Sequence, residues 1–88
     1  MKVIVSRQFE KDTEKELNKT MQLKLAVLIE ELQQTPSLIG IANVKKLKGY
    51  KTAYRIKMGD YRIGFLLETD TVMLSRVMNR KEIYRYFP

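Results

Sequence analysis

The residues best suited to chemistry lie in one short stretch, Tyr54-Arg55-Ile56-Lys57-Met58-Gly59-Asp60-Tyr61-Arg62-Ile63. Cations and apolar side chains alternate on either side of Gly59-Asp60, a pair suited to a two-residue hairpin turn with glycine first. That turn predicts a register in which Met58 faces Tyr61, Lys57 faces Arg62, Ile56 faces Ile63 and Arg55 faces Gly64. Side chains alternate across a sheet, so Arg55, Lys57 and Arg62 share one face. Tyr54, Ile56, Met58, Tyr61, Ile63 and Phe65 take the other. Lys57 directly across from Arg62 is a like-charge pair, which destabilises a sheet by a few tenths to about 1 kcal/mol. A cluster held at that cost needs a compensating use or good solvation. Gly64, with no side chain, is expected to leave this face open to the close approach of something large.

Such a platform suits a phosphate backbone. It has the parts for cutting RNA with the ribose 2′-hydroxyl as nucleophile, without metal or histidine. A lysine crowded by cations loses its proton more readily, which makes Lys57 a candidate base. Arginines stay protonated and stabilise charge developing on phosphoryl oxygens. A plain solvated basic face would meet the same criteria. Near the C-terminus, Arg80, Tyr84 and Tyr86 add a cation and two rings, the means by which unpaired bases are stacked. For one of the two tyrosines, simple packing is the expected role. Arg76 joins the cation face if the Glu68–Asp70 loop has three residues; a two-residue loop at Thr69-Asp70 turns it inward.

Composition narrows the classes. A chain of 88 residues, 44% hydrophobic, fits one domain spanning 1–88 with a genuine core. It has neither cysteine nor histidine, which excludes disulfides, thiolate chemistry, a Cys/His zinc site and a serine–histidine triad. No metal or cofactor is expected. The longest apolar run, Leu25–Ile29, is too short to cross a bilayer, and no signal peptide is visible, so a cytoplasmic location is expected. The net charge of +7 is located entirely in the second half. Residues 1–44 balance Lys2, Arg7, Lys11, Lys15, Lys19 and Lys24 against as many acids; residues 45–88 set eleven bases against Asp60, Glu68, Asp70 and Glu82. The asymmetry points to a polyanion, nucleic acid before membrane.

The elements that must position these groups follow from periodicity. Residues 2–6 read as a strand of β-branched side chains. Ser6 can cap a helix to about Asn18 with Phe9, Thr13 and Leu17 on one side, and Thr20 can cap a second over 21–34. Pro36 ends it. Residues 36–43 form a loop around Gly40, and 44–47 add a short extended piece. Strands at 53–58, 61–68 and 71–77 follow. Asn79 and Glu82 fit a capping box opening a terminal helix over 80–87. The order β-α-α-β-β-β with a short C-terminal helix predicts an α+β fold, two N-terminal helices packed on one face of a small antiparallel sheet.

Three stretches carry a resemblance: Lys46-Leu47-Lys48-Gly49, then residues 54–63, then Arg76-Val77-Met78-Asn79-Arg80-Lys81-Glu82-Ile83-Tyr84. Together with the Pro36–Gly40 loop they resemble the RelE/ParE superfamily of bacterial toxins over nearly the whole chain. The resemblance implies the same element order, RelE-like. It also implies the toxin of a type II toxin–antitoxin system, a ribosome-dependent endoribonuclease that cuts mRNA and so inhibits translation, leaving a cyclic phosphate and a 5′-hydroxyl. ParE-like relatives instead poison DNA gyrase without nuclease residues, and a homologue that has lost activity is a third possibility. Carried over by position, the resemblance implies a catalytic set of Arg55, Lys57, Arg62, Arg80 and Tyr84. In it Lys57 is the general base, Arg62 stabilises the phosphate, Arg80 assists the leaving group and Tyr84 stacks on or orients the substrate. Lys45, Lys46, Lys48, Lys51, Arg76 and Lys81 would hold RNA or the ribosome. Two positions depart from the pattern. Met78-Asn79 replace a Gly-His pair of many relatives, and Arg55 is a lysine in some. Expected partners are ribosome, mRNA and a cognate antitoxin whose acidic, apolar-anchored segment covers the basic face and displaces or shields the terminal helix. The toxin alone is expected to be a monomer.

Overall fold

The computed structural model describes residues 1–88. Its elements in chain order are β1 (Lys2–Val5), α1 (Arg7–Glu16), α2 (Lys19–Gln34), β2 (Val44–Lys46), β3 (Ala53–Met58), β4 (Tyr61–Glu68), β5 (Thr71–Asn79) and α3 (Ile83–Tyr86). Ser6 caps α1 as expected, its hydroxyl accepting from the Phe9 N–H at 3.1 Å. Asn18, and not Thr20, caps α2: its Oδ1 accepts from the Met21 N–H at 2.9 Å. Asparagine is at least as good a cap as threonine, and starting at Lys19 lengthens the helix by two residues. The helix ends at Gln34, with Thr35 extended before Pro36.

The strands form one five-stranded sheet in the order β1-β5-β4-β3-β2. Every neighbouring pair is antiparallel except β1 and β5, which run parallel with Val3 beside Val72. The sheet is thus mostly antiparallel, as expected, with the β1–β5 pair the one parallel addition. The fold stays α+β, because α1 and α2 lie on one face and bury Phe9, Leu25 and Leu32 against Ile56, Ile63, Phe65 and Leu74. This is the apolar face that the hairpin alternation predicts.

The other face is only partly open. Ile83 and Phe87 drop onto Ala53 and Met78, with Leu47 and Leu66 packed alongside, forming a second small core under α3. The chain reaches it later than the sequence suggests. Asn79 still pairs with Tyr61 in the ladder, so β5 runs two residues past Val77 and no helix can start there. The expected capping box is absent: Glu82 precedes α3 and makes no side-chain cap bond. Asn79 closes a turn instead, its Oδ1 accepting from the Lys81 N–H and its carbonyl from the Glu82 N–H, both at 2.9 Å.

Between β4 and β5 the loop is the two-residue one, with Glu68 opposite Thr71. Arg76 nevertheless does not turn inward. The register shifts from Phe65–Leu74 to Gly64–Arg76, leaving Ser75 as an extra residue, a β-bulge. One added residue reverses the parity of side chains beyond it. Arg76 therefore shares the face of Gly64.

Candidate functional site

The hairpin pairs as its turn residues require: Met58 with Tyr61, Lys57 with Arg62, Ile56 with Ile63 and Arg55 with Gly64. Gly59 holds φ at 61°, a conformation in which a residue without Cβ is unstrained. Strand β2 extends the cation face by one residue, because Lys45 pairs with Arg55, whereas Lys46 pairs with Tyr54 on the helix side. Asn43, Val44, Lys45, Arg55, Lys57 and Arg62 line a cleft of about 300 Å³. Asn43 was not a candidate from sequence. It sits at φ 65°, a left-handed conformation that asparagine tolerates, and its carbonyl accepts from the Lys57 N–H at 3.1 Å.

At the hairpin end of the sheet, Arg62 folds back over the turn. Its Nη1 donates to the Gly59 and Tyr61 carbonyls, each at 2.9 Å. These bonds give the Arg62 charge acceptors in the turn, which offsets the cost of facing Lys57. The Arg80 N–H donates to the Asp60 carbonyl at 2.9 Å, so Arg80 stands at this same end with its side chain exposed, and exposed Lys81 follows it. Tyr84 is 71% exposed, with Arg55 Cζ 4.9 Å from its ring centroid, within cation–π range. The fold thus brings Lys45, Arg55, Lys57 and Arg62 to one cleft, with Tyr84 and Arg80 at its margins. Lys48 and Lys51 lie in the turn before β3, at the opposite end of that strand from Lys57.

Two features alter the expected picture. The space over Gly64 is not open: a Cβ built there would lie 2.5 Å from Phe87 Cγ and 2.8 Å from Phe87 Cε2. The large group approaching that backbone is the protein's own C-terminal ring. Arg76, for its part, is already paired. Its Nε and Nη2 donate to the two oxygens of Asp12 at 2.8 and 3.1 Å, in the one ion pair of the molecule. Asp12 is only 4% exposed and also accepts from the Val77 N–H at 3.1 Å. A trace of Asp12 was present in the sequence. It stands three residues after Phe9, on the buried stripe of α1, where a charge needs a partner.

Lys45, Arg55, Lys57 and Arg62 crowd one cleft with no carboxylate paired to any of these four and an exposed ring at the rim, an arrangement with the charge to attract a polyanion. Fold and site together define a small basic α+β protein with an exposed cationic cleft on the sheet face away from α1 and α2.

Comparison with known proteins narrows this class. The family model described as the ParE toxin of the type II toxin-antitoxin system, parDE, matches residues 3–84. Toxin RelE3 of Methanocaldococcus jannaschii is 42% identical over 89 residues, covering 100% of both chains. Among solved structures, a chain of the RelB-RelE antitoxin-toxin complex from Methanococcus jannaschii superposes with a TM-score of 0.83 and 39% identity, covering 97% of this chain and 99% of that one. The archaeal RelE-RelB complex from Pyrococcus horikoshii OT3 shares the fold, with a TM-score of 0.74 and 22% identity over 90% of this chain and 93% of that one. The chain belongs to the RelE/ParE superfamily of type II toxin–antitoxin toxins, on its RelE-like side.

Proposed function

We propose that this toxin is a ribosome-dependent endoribonuclease that cuts mRNA and so stops translation. The observation that carries the reading is the cleft of Lys45, Arg55, Lys57 and Arg62, free of carboxylate partners, with Tyr84 exposed at its edge. In the reaction, the ribose 2′-oxygen bonds to phosphorus and the 5′-oxygen leaves, giving a cyclic phosphate and a 5′-hydroxyl. Lys57 takes the 2′-hydroxyl proton, and Arg55 and Arg62 stabilise charge on the phosphoryl oxygens. Arg80, at the hairpin end, stabilises charge on the departing 5′-oxygen, which takes its proton from water, and Tyr84 stacks on a neighbouring base. Lys45 and Lys81 hold the flanking backbone. Lys46, Lys48 and Lys51, away from the cleft, meet the ribosome. The site of action is then cytoplasmic.

We also propose that the protein is held inactive by a cognate antitoxin. The structural relatives from Methanococcus jannaschii and Pyrococcus horikoshii are complexes of this type. An acidic segment with apolar anchors suits a face on which cations border the Ile83–Phe87 cluster.

A second reading has its own support, since the matching family model carries the ParE name. On that reading the protein binds DNA gyrase and cuts nothing. Primer extension on mRNA in programmed ribosomes, beside a gyrase supercoiling assay, separates them. Discrete ribosome-dependent breaks with intact supercoiling support the nuclease. Inhibited supercoiling with uncut mRNA supports the gyrase reading, and neither effect marks a homologue that has lost activity.

A further inference from the structure

In the sheet register Arg55, Gly64 and Arg76 form one row across β3, β4 and β5. Phe87 covers the middle of that row, and each flanking arginine carries a tyrosine of α3. Arg55 Cζ lies 4.9 Å from the Tyr84 ring centroid, and Arg76 Cζ lies 5.2 Å from that of Tyr86. The geometry of a short helix explains the pairing. With 3.6 residues per turn, Ile83 and Phe87 point to the sheet, so Tyr84 and Tyr86 fall on opposite flanks.

The two clamps differ in one respect. Arg76 is fixed by a bidentate bond to Asp12, which the Val77 N–H and Gln8 Nε2 hold in turn at 3.1 and 3.2 Å. Asp12 belongs to α1, so this clamp is tied to the body of the fold. Arg55 has no acid partner and lines the cleft. One clamp is anchored, and the other is free to meet an anion.

We infer that Asp12, Arg76 and Tyr86 are positioning residues for the cleft: the anchored Arg76–Tyr86 contact sets α3 so that Tyr84 lies over Arg55. The inference rests on the reading of the cleft as the place where RNA is cut, and it takes Arg76 out of the RNA-contacting set. With its charge balanced by Asp12, which takes two of its five N–H donors, this side chain adds little to phosphate binding. Its flat guanidinium still presents a face to the Tyr86 ring.

The test has one readout that needs no cleavage. In the free protein, the Tyr84 ring 4.9 Å from Arg55 Cζ should shift the Arg55 side-chain protons upfield in the NMR spectrum, with Tyr84→Leu as the reference for its loss. Arg76→Met and Tyr86→Leu should each move those protons toward the reference. Tyr86→Leu leaves the Asp12 pair intact, so it reports even if Arg76→Met fails to fold. Single-turnover cleavage on programmed ribosomes should fall in both, by up to about 10²-fold, the scale of an ångström-sized misplacement. The salt dependence of binding to a single-stranded oligouridylate should keep its wild-type slope in Arg76→Met. A slope reduced by about 1 means that Arg76 contacts a phosphate, and overturns the inference. So do unmoved Arg55 protons in folded Tyr86→Leu. Wild-type protein that leaves ribosome-bound mRNA uncut overturns the nuclease reading alone, and the Arg55 protons still decide the positioning.

Discussion

The ring of Phe87 stands where any side chain at position 64 would have to go. A Cβ on Gly64 would overlap it, and Phe87 is buried there although it is the penultimate residue of the chain. The glycine is thus a socket for the C-terminal segment, and that segment brings Tyr84 to the cleft. What sequence suggests as an entrance for a ligand is closed from within, and the cationic cleft lies beside it.

Gly64→Ala should therefore act on the tail first. Overpacking of this kind costs about 1–3 kcal/mol. Denaturant unfolding should show a loss in that range, together with faster proteolysis after residue 79. A variant as stable as the wild type would mean that the ring does not occupy the socket in solution.

Lys57→Ala and Arg62→Ala should each lower ribosome-dependent cleavage by about 10²-fold or more, the scale for removing a general base or an electrostatic stabiliser. Their stabilities should diverge. Lys57→Ala relieves the like-charge pairing and should hold or rise slightly. Arg62→Ala gives up two hydrogen bonds to the Gly59 and Tyr61 carbonyls and should lose about 1 kcal/mol. Undiminished cleavage in both would remove the catalytic assignment and leave a binding platform.

Asp12→Ala should be among the costliest polar substitutions in the chain. It strands Arg76 and the buried Val77 N–H together, and breaking a buried pair costs about 3–5 kcal/mol. The Arg76 side chain keeps 20% of its surface exposed, which favours the lower end of that range. Thermal melting of Asp12→Ala beside Asp12→Ala/Arg76→Met gives the check, with the double variant recovering part of the loss.

The pH–rate profile should carry no histidine signature, because the chain has none. Single-turnover cleavage should show no inflection near pH 6.5. Asn79→His restores the residue type of many relatives at this position. It also removes the Oδ1 acceptor of the Lys81 N–H and should cost about 1 kcal/mol. A new inflection near pH 6–7 would appear only if the ring reaches the 2′-hydroxyl. A wild-type profile that flattens at pH 6.5 would contradict the lysine-base proposal.

The hairpin shows why part of this protein is legible from sequence. Gly59-Asp60 sets the register of β3 on β4 through contacts a few residues apart, and alternation then assigns each face. The resulting grouping of Arg55, Lys57 and Arg62, the Ser6 cap of α1 and the end of α2 before Pro36 are all local consequences of residue type. Tertiary structure alone decided the rest. Arg76 changed face because of an extra residue at Ser75, which no turn motif announces. Asn79 stayed in the ladder because Tyr61 pairs with it across the sheet. The partners of Gly64 and Arg76, namely Phe87 and Asp12, lie 23 and 64 residues away along the chain. Periodicity carries faces and registers over a few residues; it holds no record of which distant side chain will fill a gap or neutralise a charge, since that depends on how whole elements pack.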